Sequence, residues 1–66
     1  MDELSISMQN EAIRIAEERL GYSLTEPLIQ NIRLGGWGYM GLEAIIDTVR
    51  TIELPELERY LRDLKK

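Results

Sequence analysis

Carboxylates are the main residues in this chain whose types could do chemistry, because it has no His and no Cys. That removes the commonest general base and metal ligand, the thiolate nucleophile and any disulfide staple. Two acidic pairs lie close in sequence, Glu17/Glu18 and Glu56/Glu58. Paired carboxylates carry acid–base chemistry when a cleft buries them and drives their pKa values apart. On a helix, residues one or two apart do not face each other. Both pairs therefore read as solvated faces. No catalytic residue is assigned, the chain is not expected to be an enzyme, and no cofactor, metal or small-molecule substrate is expected.

The other chemically distinctive stretch is Leu34-Gly35-Gly36-Trp37-Gly38-Tyr39-Met40-Gly41, which holds the only Trp. A glycine-rich loop can cradle phosphate when a strand precedes it and a Lys closes it. Here the flanking segments are helical and Met40-Gly41-Leu42 stands where Gly-Lys-Ser/Thr would be. Two readings remain. Trp37 plugs the core between two helices, with Gly36 and Gly38 letting them close over the indole and a backbone carbonyl taking its N–H. Alternatively Trp37, Tyr39 and Met40 anchor a binding partner. The favoured combination turns Trp37 inward and leaves Tyr39 and Met40 at the surface.

These residues must be positioned by helices, since the apolar residues recur mainly at helical spacing. The first helix is expected at about 8–20, with Ala12, Ile13, Ala16 and Leu20 on one face and Gly21 as its left-handed end. Leu4, Ile6 and Met8 alternate with Ser5 and Ser7 in a strand-like period. Without a partner strand, residues 1–7 are expected to be a loose N-terminal arm, with Ser7 capping the helix. A second helix is expected at about 25–34. Ser23-Leu24-Thr25-Glu26 has the form of a capping box, and Pro27 favours a start near Thr25. A third is expected at about 39–51, striped by Leu42, Ile45, Ile46 and Val49. The fourth is expected at about 55–65, opening with Pro55 and carrying Leu57, Leu61 and Leu64. The expected fold is all-α, a compact single four-helix domain over 1–66 with short turns and orthogonal-type packing. Its expected core is Ile13, Ala16, Leu20, Leu28, Ile32, Ile45, Ile46, Val49, Leu57, Leu61 and Leu64.

Net charge is −4 over 66 residues. An acidic chain is poorly suited to bind nucleic acid or anionic membranes without specificity. No apolar run approaches the ~20 residues of a membrane span. The acidic start, Met1-Asp2-Glu3, is unlike a signal or transit peptide, so a cytoplasmic location is expected. Ile15–Glu26 resembles a helix-turn-helix, with Ala16 before the glycine of the turn, Gly21, and a second helix presenting Gln30 and Asn31. That resemblance implies a DNA-associated transcriptional regulator. The spacing from Ala16 to Gly21 is five residues where that family's turn typically has four, and the would-be reader helix holds Pro27 and one basic residue, Arg33. A ribbon-helix-helix reading of Leu4–Met8 meets the same shortage of positive charge.

The function expected from the sequence is a small acidic protein-binding module, a regulator, adaptor or inhibitor. A helix-turn-helix-like regulator is the alternative, and an acidic nucleic-acid mimic is a second one. Candidate protein-binding residues are Trp37, Tyr39, Met40, Ile15 and Tyr22. Ile15 is included because it points away from the Ile13–Ala16–Leu20 face. The expected partner is a protein, including a second copy in a homodimer, because a small domain buries only about 60% of its unfolded surface.

Overall fold

The computed structural model describes residues 3–64. They form α1 (Glu3–Leu20), α2 (Glu26–Arg33), α3 (Tyr39–Thr51) and α4 (Leu54–Arg62). No strand occurs among the described residues. The all-α four-helix fold is the one the periodicity predicts. Met1 and Asp2 of the expected arm, and Lys65 and Lys66 at the end of the chain, lie outside the described residues.

The first helix departs most from expectation. It begins at Glu3, so residues 3–7 are helical and Ser7 is not a cap. The alternation of Leu4, Ile6 and Met8 fits a helix equally well, because α1 is buried over a wide arc. At about 100° per residue, Ile13 and Ile15 lie about 160° apart. Both are buried, with Ala12 and Ala16 between them. This corrects the surface placement of Ile15, which is 8% exposed and forms part of the core. The cause is that α1 packs against α2, α3 and α4. The alternation of Leu4 and Ile6 places them on opposite flanks of the same arc.

Long-range hydrogen bonds set the helix directions. Near the middle of α1, Asn10 Oδ1 accepts from Arg33 Nη2 at 2.7 Å at the end of α2, while Glu17 near the end of α1 accepts the Leu24 N–H just before α2, so α2 runs back along the second half of α1. At the end of α1, Arg19 Nη1 donates to Val49 O at 2.9 Å and to Ile52 O. Thus α1 and α3 run the same way. Asn31 Nδ2 donates to Leu61 O at 2.8 Å, which brings the end of α4 beside α2. The molecule measures 31 × 20 × 19 Å. An 18-residue α1 spans roughly 27 Å at 1.5 Å per residue, so it forms most of the long axis.

The turns use the local chemistry in part. Gly21 has φ +83°, the left-handed end expected after Leu20. Thr25 is the N-cap of α2 and Pro27 sits in its first turn, as the later start requires. Thr25 makes no side-chain cap bond; Glu17 of α1 instead accepts the Leu24 N–H at 2.9 Å. The core contains Ile13, Ala16, Leu28, Ile32, Ile45, Val49, Leu57 and Leu61 as expected. Leu20, Ile46 and Leu64 are half-buried at its edge, while Ile15, Leu24 and Leu42 are buried in it. Gln9 is the one buried polar residue among those described, and its Oε1 accepts from Arg33 Nη1 at 3.3 Å.

The accessible surface is 4339 Å², against about 4,300 Å² for an average folded monomer of 7.7 kDa. One copy therefore closes its own core. Leu57→Ala is expected to cost ~2–5 kcal/mol in denaturant unfolding, because the side chain is wholly enclosed. Leu54→Ala, at an exposed site on the same helix, is expected to cost under ~1 kcal/mol. Equal losses at the two positions would contradict this core.

Candidate functional site

Trp37 leaves the end of α2 and folds back upon it. Its Nε1 donates to Asn31 O at 3.1 Å. Asn31 lies in the last turn of α2, where backbone carbonyls have no partner within the helix. The indole thus caps α2 while packing, half-buried, against the core. One glycine makes room for it, and it is not Gly38. A Cβ on Gly35 would overlap Trp37 Nε1 and sit 2.6 Å from Cε2. Gly41, in the first turn of α3, also borders the indole, but a Cβ there would lie 3.5 Å from Cε3, an ordinary packing distance. Gly36 instead supplies the φ of +69° that turns the chain, and the space around Gly38 is open.

With the indole turned inward, its neighbours face solvent. Tyr39 is 47% exposed, Leu34 75% and Met40 88%. Three exposed apolar side chains therefore gather at one pole. Scattered apolar residues need no explanation, but several at one end are the usual mark of an interaction surface.

Tyr22 does not belong to that pole. It follows α1, whose last turn bonds the far end of α3, roughly 18 Å along that 13-residue helix from Tyr39. Its hydroxyl donates to Glu58 Oε2 at 2.5 Å and ties the α1–α2 turn to α4. The bond holds the Glu58 carboxyl below its ordinary value of 4.5, with Arg62 reinforcing the effect and desolvation opposing it. The same bond, with desolvation and the nearby charge, raises the Tyr22 hydroxyl above its ordinary value of 10.0. Of the five candidate residues, then, Trp37, Tyr39 and Met40 come together, Tyr22 stands apart and Ile15 is internal.

The other chemically suggestive side chains have structural employment. Glu17 holds the Leu24 N–H, and Glu18 pairs with Arg14 at 2.7 Å. Glu56 lies 3.9 Å from Arg59, and Glu58 lies 3.2 Å from Arg62. Gln30 donates to Glu26 at 2.9 Å, while the Asn31 amide is held by the end of α4. Both amides of the helix-turn-helix resemblance are thereby engaged. No group of acidic residues among those described could hold a metal ion. No helix among them is long and apolar enough to cross a membrane. Spacing within the sequence carried no sign of the roles of Asn31 and Arg19. A polar residue inside a short, otherwise amphipathic helix was the available hint.

Two expectations follow from this geometry. Native Trp37 should emit at shorter wavelength than free tryptophan, and Gly35→Ala should shift that emission to the red by expelling the ring. Trp37→Phe keeps most of the packing and should cost about 1 kcal/mol through the lost cap; an unchanged melting temperature would argue against the bond. The Tyr22–Glu58 tie predicts a pH dependence. Because the Glu58 pKa is depressed on folding, its contribution is present above pH 4.5 and is lost as pH falls through the folded value. Because the Tyr22 pKa is raised, its contribution is complete below pH 10.0 and is lost as pH rises through the folded value. Melting curves of the native chain and Tyr22→Phe should differ most at neutral pH and converge at both extremes. A gap that stays constant with pH would rule out the tie as its cause.

No family model matches the chain, and no curated protein or solved structure shows significant similarity to it.

Proposed function

We propose that this chain is a cytoplasmic protein-binding module, acting as a regulator, adaptor or inhibitor by occupying a surface of its partner and without catalysis. The observation that carries this reading is the pole where Leu34, Tyr39 and Met40 stand exposed around an inward Trp37. Tyr and Met suit such a role: Tyr offers large area with few rotors, and Met adapts to irregular surfaces. The scaffold beneath them is held by the Trp37–Asn31 bond and by the first turn of α3, so little backbone freedom is lost on binding.

The test is site-specific crosslinking in the native host. A benzophenone amino acid at position 40 should capture a discrete partner, and the same group at position 59, on the exposed side of α4, should not. Tyr39→Ser combined with Met40→Ser should leave the fold intact, because both side chains are exposed, and should weaken partner binding at least tenfold. Undiminished binding by that double variant would move the recognition site elsewhere.

A further inference from the structure

We infer that the partner segment seated at this pole is a cationic amphipathic peptide, its apolar side chains on Tyr39 and Met40 and its Lys or Arg residues along the exposed face of α3. This rests on the protein-binding reading and gives that partner its chemistry. In α3, Met40, Glu43 and Asp47 follow at i, i+3 and i+7, so they share one face. All three are exposed. The most exposed large apolar side chain among the described residues thus begins a stripe with a carboxylate one turn along and another a turn further.

These two carboxylates differ from those of the other long faces. On α1, Glu11 and Glu18 both grip Arg14. On α4, Arg59 lies between Glu56 and Asp63, and Arg62 pairs with Glu58. On α3, Glu43 and Asp47 have no ion-pair partner among the described residues. Arg50, the one basic residue of α3, continues the same face at i+10, one turn beyond Asp47, so the negative charge is least offset at Glu43, beside Met40. Exposed ion pairs contribute little to stability, so the contrast matters less for folding than for what the surface attracts. An apolar patch bordered by negative charge selects an apolar segment bordered by positive charge, through encounter rate and through rejection of acidic competitors.

A second copy of the chain fits this surface less well. A two-fold contact sets the same patch against itself, carboxylates included. The nearby guanidinium of Arg33 is already held by Asn10 and Gln9. The monomer also closes its own core, with the surface expected for its mass.

The experiment uses a labelled 18-residue synthetic peptide of Leu and Lys with an apolar helical stripe, and its isomer with Glu in place of Lys. Both are titrated into the full chain at physiological ionic strength, with anisotropy giving affinity and amide chemical shifts giving location. The Lys peptide should bind, with the largest shifts from Tyr39 to Asp47, and the Glu isomer should not. Glu43→Lys should weaken binding at least tenfold. Glu56→Lys, the same charge reversal on α4, should weaken it less than twofold.

Equal losses in the two variants would overturn the inference, since binding would then follow net charge. Absence of binding, binding of the Glu isomer, or shifts centred on another helix would overturn it as well. So would concentration-dependent self-association at the same residues without peptide, which would make a second copy the occupant. A partner captured by the crosslink at position 40, together with no affinity for the Lys peptide, would leave the module reading standing and discard its cationic partner.

Discussion

Short helices have a problem at their ends, and its solution organises this fold. The last four carbonyls of any helix lack partners within it, so in the eight-residue α2 half of the carbonyls must look elsewhere. Three helices here find those partners in side chains from outside the helix, one nearby and two distant in sequence. The Trp37 indole takes the Asn31 carbonyl at the end of α2. The Asn31 amide takes Leu61 O and Arg62 O at the end of α4. Arg19 takes Val49 O at the end of α3, bringing positive charge to the negative end of its dipole. Each bond joins a helix end to an element it must pack against. Satisfying the backbone and fixing the tertiary arrangement are then the same event. Asn31 lies at the centre of this arrangement, accepting through its backbone and donating through its side chain.

The same constraint shapes the surface. Because the indole is committed to α2, it cannot also serve as an exposed anchor, and the residues after it carry that role. Tyr39 and Met40 open α3 immediately after the loop, on backbone that the packed ring holds in place. A rigid base under exposed aromatic and thioether groups suits binding, since the ordering cost is met by folding. At the opposite end, the Tyr22–Glu58 bond performs a structural task, joining the α1–α2 turn to α4 across 36 residues of sequence. Two tyrosines of similar exposure therefore stand at opposite ends of α3, Tyr22 tied to α4 and Tyr39 beside the Trp37 loop.

Much of this was legible in the sequence. Apolar spacing identified four helices, with α2 and α3 close to their observed limits. Gly21 marked the end of α1 because a left-handed residue with no Cβ suits that position, and Pro27 and Pro55 marked first turns because a missing N–H is harmless there. An inward Trp37 whose N–H finds a carbonyl, with Tyr39 and Met40 outside, follows from the cost of an unpaired buried donor. These are local matters, decided within a turn or two of the chain.

Only the tertiary structure decided the rest. Ile15 looks surplus when one stripe of α1 is taken as its buried face, and it becomes core because α1 packs against all three other helices. Residues 3–7 alternate as a strand would, yet they continue the helix, since Met8 packs on the core while Leu4 and Ile6 flank its line. Gly35, not Gly38, accommodates the indole, because the ring folds back over the end of α2. Helical periodicity reports how polarity is distributed around one axis. The number of neighbours around that axis, and the carbonyl that a distant side chain will reach, are properties of several helices together, and no single segment of sequence contains them.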